Sequence, residues 1–236
     1  MMDADPALIA ELVLANHILF RQGVVDGFGH VSVRHDRDPG RFLLSRSMAP
    51  ALVTPDDIMT FDLDSVPVEA RGRAPYLERF IHGEIYRARP EVAAVVHSHS
   101  PAVIPFGVSP VTLRPVSHMG GFLGEGAPVF EIRDAAGPAS DMLIRDQALG
   151  AALARTLGGA AVALMRGHGS VAVGASIRHA VFRAIYTEMN ARIAAEALRL
   201  GPVTYLTPEE AANVAAVNDR QLDRAWDLWA LEVTRR

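Results

Sequence analysis

The 236-residue sequence contains no cysteine. This absence excludes disulfide bonds and zinc sites built from thiolates. No apolar run reaches the roughly 18 residues of a membrane-spanning helix, and the acidic opening residues are not followed by an apolar segment of the kind found in signal peptides. Basic residues form no cluster and the formal net charge is −4, so nucleic acid is not an expected partner. We therefore expect a cytoplasmic protein that binds neither nucleic acid nor a membrane.

The composition is that of an ordinary globular protein, with 50% hydrophobic and 21% charged residues. The length is compatible with one domain and sufficient for a sizeable core. No repeat, low-complexity segment or linker interrupts the chain. These observations predict a single domain over residues 1–236.

Alternating and helical patterns divide the chain into elements. A helix is expected from Pro6, capped by Asp5, to Gly23. Strands of a meander are expected from His30, Arg41 and Ile58, followed by a helical pattern over residues 74–90. Further strands are predicted at VTLRPV, VFEIR, AAVALMRG and SVAVG. Further helices are predicted over 141–157, over 176–200 and from the capping box that begins at Thr207. The order predicts one α/β domain with a mixed sheet.

Two histidines end a short apolar run in AAVVHSHSPAV, residues 93–103. The run is rich in β-branched residues and bounded by prolines, which favours a strand. On a strand, residues i and i+2 share a face, so His97 and His99 project together. The pair supplies half of a metal site.

His168 can supply a third ligand, because it lies between two glycines at the turn after an apolar strand. Three neutral imidazoles leave a coordination position open, as in catalytic metal sites, and suit zinc, manganese or iron. Other interpretations remain open from the spacing alone. A His-x-His pair is more often satisfied or exposed without metal, and His82, four residues after Glu78, could form an ordinary helix-surface pair.

The segments GHVSVRHDRDPGRFLLS, LERFIHGEIYRARPEVAAVVHSHSPAV and MRGHGSVAVG together resemble the class II aldolase/adducin family, over roughly residues 7–200. The resemblance implies a three-layer α/β/α fold with a mixed, largely antiparallel central sheet. It also implies a homotetramer with active sites between subunits. The implied divalent metal is held by His97, His99 and His168, with Glu78 as an acid/base or a further ligand.

Sugar-phosphate members of this family hold phosphate with a Gly-Asn turn and a Ser-Ser pair before the glutamate. This chain has Gly29-His30 and Ala74-Pro75-Tyr76-Leu77 at those places, which argues against a sugar phosphate. The segments YLERFIHGEIY, RPVSHMGGFLG and VFEIR resemble the decarboxylase branch of the family. That resemblance implies a manganese-dependent carboxy-lyase acting on a hydroxylated aromatic dicarboxylate, in particular 3-hydroxy-2-methylpyridine-4,5-dicarboxylate in vitamin B6 degradation.

In the expected reaction, Glu78 protonates the ring carbon and loss of CO2 leaves an enolate that the metal stabilises. Five residues are candidate substrate contacts: His30, Ser47 and His118 as polar groups, and Arg73 and Arg133 as partners of a carboxylate, with Arg114 and Arg166 as further candidates for that role. One alternative is an aldolase or epimerase acting on a hydroxy-carbonyl or sugar-phosphate substrate. The other is a non-catalytic adducin-like binding module, which would be expected to lose the glutamate or a histidine.

Overall fold

The computed structural model describes residues 4–235 and consists of helices on both faces of one sheet. The strands are β1 (His30–Arg34), β2 (Arg41–Ser45), β3 (Ile58–Asp62), β4 (Ala94–Ser98), β5 (Val129–Phe130), β6 (Val162–Met165) and β7 (Gly169–Gly174). The helices are α1 (Pro6–Arg21), α2 (Phe80–Ala88), α3 (Ile104–Val108), α4 (Arg133–Ala136), α5 (Gln147–Leu157), α6 (Ile177–Leu200), α7 (Pro208–Asn218) and α8 (Leu222–Thr234). Within residues 4–235, no helix is long and apolar enough to cross a membrane.

The seven strands form one sheet in the order β3-β2-β1-β4-β7-β6-β5. All neighbours are antiparallel except β5 and β6. The expected mixed, largely antiparallel sheet is therefore confirmed. The central strand β4 has β1 on one side and β7 on the other, and His97 on β4 lies opposite His30 on β1.

Alternation along the strands directs apolar side chains to two separate cores. Val31, Val33 and Val96 pack on the side of α1 and α6. Val95 and Val173 pack on the side of α2 and α5. The sheet therefore lies between two helical layers, which confirms the three-layer α/β/α arrangement.

The segment 111–116, predicted as a strand, pairs with no strand among the described residues. Its backbone groups bond to the Asn190 side chain and to the backbone N–H groups of Ala127 and Leu206 instead of a ladder. Asn190 Nδ2 donates to Arg114 O at 2.9 Å, and Val116 N donates to Asn190 Oδ1 at 3.0 Å. Pro115 lacks a backbone N–H and further weakens any ladder at this place.

Three other predicted boundaries were wrong. The helix expected over 141–157 begins only at Gln147, because the Asp146 side chain accepts from Leu149 N and caps α5 there. In VFEIR only Val129–Phe130 pairs with the sheet, and the chain then turns into α4. The last helical pattern is divided into α7 and α8, with a break after Asn218.

Candidate metal centre and its cavity

Four side chains from three separate places in the chain converge at one end of β4. Glu78 lies in a 3₁₀ turn, Leu77–Arg79, immediately before α2. His97 lies on β4 and His99 just beyond its end, while His168 lies in the turn between β6 and β7. One ligand atom from each lies within 4.8 Å of the others. This cluster is of a size that could hold one metal ion.

Backbone carbonyls fix the protonation of two of the imidazoles. His97 Nδ1 lies 3.1 Å from Ser170 O, and His168 Nδ1 lies 2.9 Å from Met142 O. Because a carbonyl oxygen can only accept, each Nδ1 carries the proton and each Nε2 presents its lone pair.

The free nitrogens then face one another. His99 Nε2 lies 3.2 Å from His97 Nε2 and 3.0 Å from His168 Nε2. A single proton on His99 cannot satisfy both lone pairs, whereas one cation between the three nitrogens can. Oriented imidazoles with their other nitrogen bound to a carbonyl are the usual environment of a histidine-bound metal. The donor set therefore fits a divalent metal.

Glu78 completes the cluster as a buried carboxylate. Its Oε1 accepts from Ile144 N at 3.0 Å, and its Oε2 lies 3.5 Å from the Nε2 atoms of both His97 and His168. The Ile144 N–H donor stabilises the charged form of the carboxyl, and a divalent metal on the adjacent imidazole nitrogens would do the same. Glu78 is therefore placed to accept a proton as a carboxylate.

The segment 141–146 supplies backbone groups that orient this centre. The sequence predicted this segment as part of a helix, so its role in the site was missed. Met142 contributes the carbonyl that accepts from His168, and Ile144 contributes the N–H that donates to Glu78. Met142 has a φ of 69°, outside the helical region. The signal that could have revealed the segment is Asp146, whose position before an apolar helical pattern is typical of an N-cap.

The glycines around His168 have separate structural reasons. Gly167 has a φ of +65°, a conformation that favours glycine. Gly169 lies against the end of β4, where an added Cβ would be 1.9 Å from Ser98 O. The turn that carries His168 to the His97–His99 pair therefore favours glycine at position 167 and leaves no room for a side chain at position 169.

Replacing Gly169 by alanine should destabilise the protein and displace His168. The clash involves a backbone oxygen, so β7 must move away from β4. This should lower the free energy of unfolding by about 1–3 kcal/mol. Urea unfolding and metal content measure the two effects. Gly159→Ala is the control, because its Cβ would meet nothing within 4 Å. Equal stability and equal metal content in the two variants would contradict this account of the turn.

A cavity of about 600 Å³ opens beside the cluster and is walled largely by apolar groups. Glu78 and His99 belong to its lining, together with Phe28, Tyr76 and Leu77. The Phe28 ring is stacked on the His99 ring with centroids 6.2 Å apart. Flat walls next to a metal-binding cluster suit a planar ring with oxygen substituents.

Two of the predicted substrate contacts lie in this cavity, namely His30 and Ser47. The other three lie elsewhere. Arg73 NH1 donates to the carbonyl oxygens of Asp56 and Ile58, at 2.8 and 2.9 Å. Arg133 is exposed and paired with Glu131.

His118 is exposed and begins a 3₁₀ turn that is bonded to α7, because Asn218 Nδ2 donates to His118 O at 3.0 Å. Of the further arginines, Arg114 lies over the Tyr205 ring at 4.5 Å, and Arg166 lies 2.7 Å from Glu131. Among the described residues, the cavity lining therefore includes neither arginine nor lysine.

Comparison with known proteins identifies the family to which the chain belongs. Residues 10–195 match the family model described as Class II Aldolase and Adducin N-terminal domain. The chain belongs to the class II aldolase and adducin family. The solved structure of an aldolase II superfamily protein from Pseudomonas syringae superposes with a TM-score of 0.82 at 20% identity, covering 100% of this chain and 95% of that one. That superposition confirms the fold.

The relatives of this chain include proteins named as decarboxylases. Decarboxylase tropJ of Talaromyces stipitatus is 40% identical over 240 residues, covering 92% of this chain and 90% of that protein. The 3,4-dihydroxyphthalate decarboxylase of Terrabacter sp. is 32% identical over 232 residues, again covering 92% and 90%. The chain is thus similar over most of its length to decarboxylases, one of which is named for an aromatic dicarboxylate.

Proposed function

We propose that the protein is a divalent-metal-dependent carboxy-lyase that removes CO2 from a hydroxylated aromatic carboxylate. The observation that carries the proposal is the Glu78–His97–His99–His168 cluster, two of whose members, Glu78 and His99, line a cavity with aromatic side chains. Similarity to two decarboxylases supports the same reaction class. His97, His99 and His168 are assigned to the metal and Glu78 to proton transfer.

A divalent metal held by the three histidines would supply Lewis acidity to the adjacent hydroxyl and carboxylate oxygens of the ring. The protein residues then move one proton. Glu78, as a carboxylate, accepts the proton of the ring hydroxyl and returns it to the ring carbon that bears the carboxylate. The C–C bond to the carboxylate breaks, CO2 leaves, and its electron pair restores the aromatic ring. The hydroxyl proton therefore ends on the ring carbon, and water reprotonates the product oxygen.

The chain contains no lysine, so all 23 of its basic Lys/Arg residues are arginine. A mechanism in which a lysine of this chain forms a Schiff base with a carbonyl substrate is therefore excluded. The group that would withdraw electrons from the substrate is therefore the metal that the histidine cluster would hold.

Finer features of the function are part of the proposal. We propose manganese as the metal, with zinc and iron as the alternatives. The two candidate ring substrates are 3-hydroxy-2-methylpyridine-4,5-dicarboxylate and a dihydroxylated phthalate, the second suggested by the Terrabacter relative. A homotetramer with sites between subunits is proposed as well, and the exposure of Phe28 and Leu77, 68% and 62%, at the cavity supports contact with a second chain.

The experiment is to load the purified protein in turn with manganese, zinc and iron and to assay a panel of hydroxylated benzene and pyridine dicarboxylates. CO2 release and ring products are followed together with retro-aldol aldehyde release from hydroxy-carbonyl compounds. Metal-dependent CO2 release from a ring acid is the expected result. Aldehyde release without CO2 would favour the aldolase or epimerase alternative, and a protein that binds no metal would favour a non-catalytic module.

Phosphoglycolohydroxamate, a phosphorylated mimic of an enediolate, should bind poorly. The cavity lining offers bulky and aromatic groups, with His30, Met48 and Tyr76 around Ser47, and lacks an arginine or lysine among the described residues that could hold a phosphate. Aromatic dicarboxylates should bind better to the same metal-loaded protein. Competition measured by calorimetry checks the ranking. Tighter binding of the phosphorylated mimic than of every aromatic dicarboxylate would point to a sugar phosphate.

A further inference from the structure

A buried chain of four polar side chains leads from the cavity into the space between β1 and α2. His30 and Ser32 lie two residues apart on one face of β1, and His82 and Tyr86 lie four residues apart on the facing side of α2. His30 Nδ1 lies 2.6 Å from His82 Nε2, and His82 Nδ1 lies 2.6 Å from Ser32 Oγ. Ser32 Oγ in turn lies 2.7 Å from the Tyr86 hydroxyl. The four groups form one unbranched hydrogen-bonded chain.

The two ends of the chain have different surroundings. At the inner end, Tyr86 is 1% exposed; the Val95 N–H can only donate to its hydroxyl, so Ser32 Oγ is the one acceptor for the tyrosine proton among residues 4–235. At the outer end, the His30 ring lines the cavity while its Nδ1 is occupied by His82. His30 Nε2 is therefore the free end, and it has no hydrogen-bond partner within the described part of the protein.

One proton lies between the two imidazoles, because two N–H groups cannot face each other at 2.6 Å. Burial lowers the pKa of His82 to about 3, so that ring is neutral. The Phe42 ring packs beside His82, and no carboxylate bonds to His82 among the described residues. His82 therefore carries one N–H, and one direction of hydrogen bonding runs through all four side chains.

The buried tyrosine determines that direction. Its hydroxyl proton has one acceptor, Ser32 Oγ, so Tyr86 donates to Ser32. Ser32 must then donate to His82 Nδ1, which places the His82 proton on Nε2, from which it is donated to His30 Nδ1. The remaining proton of His30 lies on Nε2. The opposite direction would leave the tyrosine O–H as a buried donor without an acceptor, which is unfavourable.

We propose that Tyr86, Ser32 and His82 are positioning residues that fix His30 as an Nε2–H donor to the cavity, and that this donor binds a carboxylate oxygen of the ring substrate. The recognition of a carboxylate rests on the proposed function, whereas the direction of the hydrogen-bonded chain does not. The cavity lining offers no arginine or lysine among the described residues, so a neutral imidazole N–H takes the place of a cation. Because His30 Nε2–H is a donor, the site favours a substrate whose ring carries a hydrogen-bond acceptor at this position and disfavours one that carries a donor.

Nitrogen NMR of the histidine rings tests the direction independently of any activity. Zinc-loaded protein labelled with ¹⁵N at histidine is suitable because zinc is diamagnetic, and signals are assigned by loss in His30→Gln and His82→Gln. We expect His30 and His82 to be protonated at Nε2, while His97 and His168 are protonated at Nδ1. Protonation of His30 at Nδ1 in the wild type overturns the proposed direction.

Two tyrosine variants test the positioning role. Tyr86→Phe removes the donor that sets the direction, and His30 should then show both tautomers. If they become equally populated, the dissociation constant of an acceptor ligand should rise about twofold. Tyr186→Phe is the matched control, since the Tyr186 hydroxyl makes no hydrogen bond within the described residues and lies in the other core. An unchanged His30 tautomer in Tyr86→Phe overturns the positioning role.

Phthalate and benzoate serve as probes of carboxylate recognition by calorimetry. His30→Phe should weaken phthalate binding about tenfold or more relative to benzoate, the range for a hydrogen bond to a charged group. If phthalate fails to bind the wild type, or binds His30→Phe equally well, the recognition is overturned. Failure of the proposed function gives a different pattern: no CO2 from any ring acid, with the His30 tautomer and phthalate binding as expected.

Discussion

The Glu78→Gln variant is expected to keep its metal and to bind the ring ligand, but its turnover should fall about 10²–10⁴-fold. The amide keeps the size of the carboxylate, and its oxygen can still accept from Ile144 N. It cannot, however, accept the hydroxyl proton of the substrate and return it to the ring carbon. Metal stoichiometry, ligand affinity and single-turnover CO2 release should be measured on one preparation, so that chemistry is separated from binding.

Glu84→Gln is the matched control for this variant. Glu84 is also buried and lies on α2, but its carboxylate pairs with Arg87 and not with a histidine. Its loss should leave turnover near the wild-type value. If the metal content of Glu78→Gln falls in parallel with its rate, Glu78 acts mainly as a ligand. Near-normal single-turnover CO2 release with metal retained would mean that another group moves the proton.

Alanine at any one of His97, His99 or His168 should remove metal and activity together while the protein stays folded. Loss of a group that merely orients a ligand lowers metal affinity about 10–100-fold, and loss of a ligand itself should cost at least as much. Metal analysis, turnover and circular dichroism on each variant measure the three expectations. We expect the His97 variant also to lose stability, because that ring is fully buried between β1 and β7.

His17→Ala is the control for the three ligand variants, because His17 Nε2 bonds to Val53 O and not to the cluster. It should keep both metal and turnover. Full metal occupancy with normal turnover in one of the three variants would remove that histidine from the proposed site.

The histidines of the site could be placed from the sequence because their geometry follows from local rules. His97 and His99 share a face because strand side chains alternate, and His168 follows an apolar strand between two glycines. Glu78 differs. Its role came from resemblance to the family, and its 3₁₀ turn before α2 breaks the helical pattern on which the sequence-based interpretation placed it.

The groups that orient the site were not accessible in this way, because they depend on contacts distant in sequence. Met142 and Ile144 act through their backbone atoms, which no side-chain pattern reveals. His82 fitted a helix-surface pair with Glu78, yet the ring is completely buried and bonded to His30 and Ser32. The burial of His82 depends on the packing of α2 against β1, a contact between segments about 50 residues apart that the helical pattern does not reveal.

The most direct test of the account is the reaction of the metal-loaded protein with a hydroxylated aromatic dicarboxylate in deuterated water. CO2 is collected while the ring product is analysed by NMR and mass spectrometry, with chelated protein in parallel. We predict one CO2 per molecule of product and one deuteron at the carbon that carried the carboxylate. The chelated protein should release no CO2 and form no deuterated product. Fully metal-loaded protein that releases no CO2 from any ring acid but cleaves a hydroxy-carbonyl compound to an aldehyde would contradict it.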